Sequence, residues 1–309
     1  MAAPRHSRGE DHPAGRGRDP GAAPGARAGG RRRCDGGAMI AFPISAAPRP
    51  VPARRPRPGA HPLGLVWTLV RTDFKVRYHG TVAGFLWALL KPFTMFVVLL
   101  GVFSFVFASD RHYKINLIVA LFLWDFFAEA TKVGLTSLHA KGYLLTKARF
   151  PSWILVVTSV SNAVITLGVF SVVIVAFLGL AGRPPSLAGL GFFILYLGQY
   201  LLMVVGFSLA TSVLFLRYRD LNQVWEVVSQ AGFFVAPIIY PLGILPERLH
   251  FYLYVWPPTP VIQFSRMVLV DGVLPSTRAH LFLAGVTAVT LAAGILIFRR
   301  HAPRAAEYL

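Results

Sequence analysis

Apolar residues gather in six long stretches of this chain, near 85–108, 114–132, 153–180, 189–216, 223–242 and 280–298. About 20 apolar residues in a helix cross the hydrocarbon of a bilayer, so each stretch predicts a spanning helix. The first carries Lys91-Pro92 in its first third. The second is interrupted by Asp125 and Glu129, and the fifth is marginal, with Glu226, Gln230, Pro237 and Pro241. Ahead of them, Leu63, Val66, Trp67, Val70, Phe74 and Tyr78 recur at helical spacing, with Thr68, Arg71, Thr72 and Lys75 opposite. That stripe predicts an amphipathic helix over 62–79 lying in the cytoplasmic interface. Arg77 falls near the apolar face and marks its end. The stretch 241–279, opening PLGILPERLHFYLYVWPPTP, is aromatic and apolar but broken by prolines. Irregular backbone is tolerated at membrane depth only under protein or water, so short re-entrant or interfacial helices are expected there. The fold expected is an all-α integral membrane domain. It has six spans, an N-terminal interfacial helix, and outer re-entrant helices between spans five and six.

Composition agrees. Hydrophobic residues make up 55% of 309 and charged residues 14%, against roughly 25% charged in soluble domains; mean hydropathy is +0.57. The net charge of +18 is unevenly spread. Residues 1–60 hold twelve Arg and four acids among Ala, Gly and Pro. With so little large apolar surface this segment is expected to be a disordered basic tail, leaving 61–309 as the membrane domain. It has no continuous apolar core of the kind a secretory signal needs. In the rest of the chain the bases lie between the apolar runs. With both termini cytoplasmic, the inner side receives Arg71, Lys75, Arg77, Lys132, Lys141, Lys147, Arg149, Arg217, Arg219, Arg299, Arg300 and Arg304. The outer side receives Arg111, Lys114, Arg183, Arg248, Arg266 and Arg278. This asymmetry follows the positive-inside rule. It speaks against nucleic-acid binding, which gathers bases and aromatics on one surface.

Chemistry is announced more by absence than presence. No GxxxxGK phosphate loop and no HExxH helix occurs, and Cys34 is the single cysteine, so neither a nucleotide cradle nor a multi-cysteine metal site is expected. Asp125 and Glu129 share a helix face. Charge inside a membrane is expensive and turns toward a bundle interior or a cavity, which suits a channel lining or a dimer interface; a wet helix end would equally accommodate Glu129. Phe233, Phe234 and Tyr240, with Tyr252, Tyr254 and Trp256 on the outer segment, offer rings along which the apolar face of a sugar slides. An ordinary interfacial aromatic belt explains 252–256 as well. Asp220 is placed to cap the helix that follows it, or to meet a partner. Arg266, on the outer segment, either snorkels or meets an anionic group.

Three blocks together carry a family resemblance. RTDFKVRYHG over 71–80, continuing TVAGFLWALLKP to 92, resembles the N-terminal signature of ABC-2 type permeases that export cell-surface polysaccharides. Leu123-Trp124-Asp125-Phe126-Phe127, with Ser137-Leu138 and the run Lys147 to Pro151, resembles a second family block. Arg217 to Leu221, with Ala236-Pro-Ile-Ile-Tyr240, resembles a third. The chain departs at Lys91-Pro92 and Pro257-Pro258, where the family often has Asn-Pro. The resemblance implies a homodimeric, non-enzymatic transport subunit in the cell membrane. It implies no cofactor in this chain, with ATP and magnesium bound by a separate dimer of ATPase subunits. Docking would fall to the helix 62–79, a loop 133–150 and the turn 217–221. The residues concerned are Arg71, Lys75, Arg77, Lys141, Lys147, Arg149, Arg217, Arg219 and Asp220. The cargo implied is a lipid-linked polysaccharide or cell-envelope glycan. An exporter of drugs or small lipids would share the six spans, and an integral-membrane glycosyltransferase is the remaining alternative.

Overall fold

The computed structural model describes residues 62–78, 82–108, 110–147 and 151–305. The chain divides after Arg55 into two units, and every described residue belongs to the second. The expected tail 1–60 and Arg149 lie outside the described residues, as do the side chains of Arg77 and Lys147. Among the described residues there is helix and no strand.

The helices are α1 (Pro62–Tyr78), α2 (Val82–Phe103), α3 (Tyr113–Lys147), α4 (Trp153–Leu180), α5 (Leu187–Arg217), α6 (Leu221–Val235), α7 (Glu247–Val255), α8 (Pro258–Arg266) and α9 (Thr277–Ala305). A short 3₁₀ turn precedes α7 and a π turn, Met267–Asp271, follows α8. By length and apolarity three of them suffice to cross a membrane: α4, α5 and α9.

α3 is the axis. From Leu117 to Phe127 every residue except Asp125 is buried, as expected of a helix that is apolar all round. α4, α5 and α8 close around it. Where lipid replaces water, such contacts hold by close packing rather than by escape from solvent. The crossing of α5 with α9 shows how close. A Cβ on Gly294 would come within 2.0 Å of the Gly206 carbonyl oxygen, and one on Gly206 within 2.7 Å of the Leu291 Cα.

Three expectations need correction. α3 does not end near 132; it continues to Lys147, so most of the expected loop 133–150 is helix. Leu135 and Leu138 stay buried, Thr136 and Ser137 bond back to carbonyls of the preceding turn, and no proline intervenes before Pro151. Rising polarity there changes the surface of α3 without ending it. α2 ends at Phe103 and passes into turns through 108. The fifth stretch forms a helix of only 15 residues, because Ala236 is driven into extended backbone (ψ 135°) by Pro237.

The outer segment does fold into short helices. Trp256, at the α7–α8 junction, meets Trp124 and Phe127 of α3 at ring distances of 6.5 and 6.1 Å. Ten residues later Arg266 bonds the Asn116 carbonyl near the start of α3. α8 therefore runs antiparallel to α3, and all of its residues are buried, whereas in α7 only Leu253 is.

Candidate functional site: a charged aromatic groove

α2, α3 and α6 leave an open groove of about 560 Å³ between them, lined among others by Trp87, Lys91, Met95, Trp124, Asp125 and Phe233. Two charges face each other across it. Lys91 Nζ lies 3.6 Å from Asp125 Oδ1; the lysine side chain is 81% exposed and the aspartate 17%. Glu129, one turn along α3, is half-buried. Phe233 lines the groove, while Phe234 is 67% exposed on the neighbouring face of α6. Thus Asp125 and Phe233 of the expected lining come together here.

Tyr240 does not join them. Its hydroxyl donates to the Phe234 and Val235 carbonyls, closing the end of α6. Trp256, expected near the exit, instead stacks into a ring cluster behind the groove with Trp124, Phe127 and Trp225. Trp225 Nε1 donates to Thr131 Oγ1 at 3.0 Å, and Gly232 makes room for Trp256, whose ring would lie 2.4 Å from an added Cβ. Tyr252 is exposed. Tyr254 packs on Phe264.

At the other end, the expected docking residues separate into two kinds. Arg71, Lys75, Arg217, Arg219 and Asp220 are exposed. Arg217 stacks over Tyr218, and Arg219 over Phe215 while lying within hydrogen-bond distance of the His139 ring. Lys141 is turned inward, only 19% exposed, and pairs with Asp73 of α1. That ion pair moors α1 to α3. Lys132 pairs with Glu226 and ties α3 to α6 in the same way. Asp220 stands at the start of α6 but makes no capping bond; its backbone is helical (φ −70°, ψ −12°) where a capping residue is extended.

Arg266 neither snorkels nor lies open. It is 6% exposed. Its guanidinium donates to the carbonyls of Asn116 (2.9 Å), Pro237 (2.6 Å) and Ile238 (2.9 Å). The Pro237 and Ile238 carbonyls lie beyond the end of α6 and have no place in its ladder, and the Asn116 carbonyl, in the first turn of α3, accepts the guanidinium as an additional donor. Asp110 and Asp271 supply compensating charge, and burial raises the Asp271 carboxyl above the usual carboxylate range. Arg266 thus joins α3, α8 and the end of α6 at one point.

Comparison with known proteins bears on what such a groove serves. The profile of the ABC-2 type transporter family matches residues 64–270, two-thirds of the chain and all the elements from α1 to the π turn.

The chain belongs to the ABC-2 type transporter family.

Within it, the chain is similar to the O-antigen export system permease protein RfbA of Klebsiella pneumoniae, 29% identical over 248 residues, 79% of this chain and 95% of the relative. It is 27% identical to the RfbA of Myxococcus xanthus over 251 residues, again 79% and 95%. With the polysialic acid transport protein KpsM of Escherichia coli it shares 21% over 238 residues, 76% and 92%. As an ABC-2 transporter the chain is a multi-pass membrane protein and a transport subunit.

Sequence reasoning missed three features of this ABC-2 site: the Lys91–Asp125 pair, the Asp73–Lys141 mooring and the ring cluster under Trp124. A signal existed for the first. Two lone opposite charges in consecutive apolar stretches are best accommodated by facing each other.

Proposed function

We propose that this chain is the membrane-spanning subunit of an ATP-driven exporter that moves a lipid-linked polysaccharide or related cell-envelope glycan outward from the cytoplasmic face. The observation that carries this reading is its alignment, over three-quarters of its length, with permease and transport proteins named for O-antigen and polysialic acid. The groove supports it. An exposed lysine on α2, about 13 Å along the axis from Val82, is poorly placed against lipid and well placed against a watery conduit.

Two copies would face each other across that conduit, with α2 and α6 of each as its walls. Asp125, Glu129, Phe233 and Phe234 would line it. A separate ATPase dimer would bind the cytoplasmic end through Arg71, Lys75, Arg217, Arg219 and Asp220, and through Arg77, Lys147 and Arg149, whose side chains the structure does not describe. ATP and magnesium belong to that partner. Nucleotide-driven closure would shift α1 and the cytoplasmic half of α3, and transport follows from differential binding of the two conformations.

Six crossings with both termini inside fit the helices. Beyond α4, α5 and α9, α2 has 22 residues, about 33 Å, and α3 and α6 cover the other two: the path from Arg219, beside His139, to Pro237, beside Asn116, parallels 23 residues of α3. That is about 35 Å, enough for a hydrocarbon core. α7 and α8 form the re-entrant hairpin on the outer side.

Depletion of the chain in its host tests the proposal. Lipid-linked glycan is expected to accumulate on the inner leaflet and to clear when the chain is restored. Normal surface glycan throughout depletion contradicts it.

A further inference from the structure

A second groove, of about 640 Å³, opens between α4, α5 and α9, with no wall from α2 or α6. Its three helices are the ones long and apolar enough to cross a membrane, so it lies at membrane depth whatever the chain carries. The groove originates in the crossing of α5 with α9. Backbones that touch at Gly206 and Gly294 diverge on either side of the contact, and the first turns of α4 close only part of the gap. One turn beyond the contact, Leu209 and Phe298 form a buried floor. Val157, Leu291 and Ile295 form the walls. Toward the C-terminal end of α9 the lining turns polar. The start of α4 supplies Trp153, 40% exposed, and Ser152, whose hydroxyl makes no capping bond, while α9 supplies Arg299. From Leu291 to Arg299 the apolar wall covers eight residues, about 12 Å, against about 15 Å of hydrocarbon in one leaflet. Arg299 is exposed, and it is the one charged residue among those lining the groove. Among the described residues no carboxylate lies within ion-pair distance of it.

We infer that this groove binds one anionic phospholipid from the leaflet at the C-terminal end of α9, with an acyl chain in the apolar slot and the headgroup phosphate on Arg299. The inference goes beyond the export reading and does not depend on it. An apolar slot alone would take a chain from any lipid. The guanidinium adds the selection, because its planar fork matches a phosphate with two parallel hydrogen bonds. A zwitterionic headgroup brings its own cation, which competes for that phosphate and is repelled by Arg299. An anionic headgroup brings none. Trp153 suits the same level, since an indole settles where its apolar body meets chains and its N–H meets headgroups. The unused Ser152 hydroxyl is a further donor there. The volume is that of an ordinary small-molecule site. Arg300, the next residue of α9, projects about 100° away and does not line the groove. It has the same charge at nearly the same depth, so it distinguishes a site from the general attraction of bases to an anionic surface.

The test uses the full chain purified in detergent. Dioleoyl phosphatidylglycerol and dioleoyl phosphatidylcholine are the probes, and native mass spectrometry counts the lipid retained. Wild type is expected to hold one phosphatidylglycerol about fivefold more tightly than phosphatidylcholine, the effect of one cation beside an anionic headgroup. Arg299→Gln is expected to abolish the preference, and Arg300→Gln to leave it within about twofold of wild type. Ala302→Phe, which fills the foot of the groove, is expected to lower retention of both lipids. Glycerol phosphate, a headgroup without chains, is expected not to displace the bound lipid. Equal retention of the two lipids by wild type overturns the inference. So does an equal loss in both arginine variants, which is surface attraction, and so does displacement by glycerol phosphate, which is a free-anion site. Retention of neither lipid, as when a second copy of the chain covers this face, overturns it as well. If Ala302→Phe does not assemble, the two arginine variants decide, since both side chains are exposed and their loss leaves the packing intact.

Discussion

Arg266 illustrates how a single side chain organises this fold. A proline ends α6 and puts the Pro237 and Ile238 carbonyls outside any helix, and a buried guanidinium satisfies both while also bonding the Asn116 carbonyl of α3. Its planar fork is what makes three simultaneous bonds feasible. Arg266→Met is expected to lower stability by about 3 kcal/mol, since covered carbonyls lose charged donors. Arg266→Lys is expected to recover less than half of that, because a point charge cannot reproduce the fork. Thermal unfolding of the purified protein in detergent measures both; equal stability of Arg266→Lys and wild type would contradict the assignment. Nothing in the local sequence announces this role. The acceptors lie 28 to 150 residues away and are backbone atoms, which no side-chain pattern reports.

At the scale of elements, the closest contact belongs to α5 and α9. Gly206→Leu or Gly294→Leu is expected to destabilise by at least about 2 kcal/mol, as overpacking does, or to block assembly. Gly198→Ala and Gly285→Ala, where an added Cβ meets nothing within 4 Å, are expected to be neutral or slightly stabilising through helix propensity. Melting midpoints of the four variants separate crossing from composition. The two ion pairs of the cytoplasmic half make a different prediction. Lys141→Ala is expected to expose α1 to protease by releasing Asp73, and the exchange Asp73→Lys with Lys141→Asp to restore protection. Arg71→Ala with Lys75→Ala is expected to weaken recovery of the ATPase on a tagged chain without loosening α1. The same division explains what the sequence conveyed. Hydrophobic periodicity located α1, α4 and α5 to within about two residues and the body of α9, which runs three residues earlier and seven later than the apolar stretch 280–298. It misplaced the end of α3, because Thr136, Ser137 and Lys141 change the polarity of a helix without breaking it. It overextended the fifth element, because Pro237 ends the helix at Val235. Which of the bases face outward was also hidden, since Lys141 and Arg219 read alike until α1 is folded on α4 and brings Asp73 beside Lys141.

For the whole molecule, the proposed function has the chain supply a wall and a conduit while a partner supplies energy. The purified chain is therefore expected to hydrolyse no ATP, with hydrolysis appearing only on co-expression with its ATPase; turnover by the chain alone would contradict that division. Labelling from outside is expected to spare a cysteine placed at Leu309 and to reach one placed at Arg183, between α4 and α5. The groove, by contrast, was only half legible beforehand. Asp125 and Phe233 stood out as polar or aromatic oddities within apolar runs, whereas Lys91 gained meaning only when α2 was laid beside α3. The most direct measurement is ATP-driven transfer in sealed vesicles holding this chain with its ATPase and a lipid-linked glycan on the ATP-facing leaflet. Appearance of the glycan on the opposite leaflet only with ATP, and its loss when the chain is omitted, is the predicted result. ATP hydrolysis at full rate with the glycan left where it began would contradict the account.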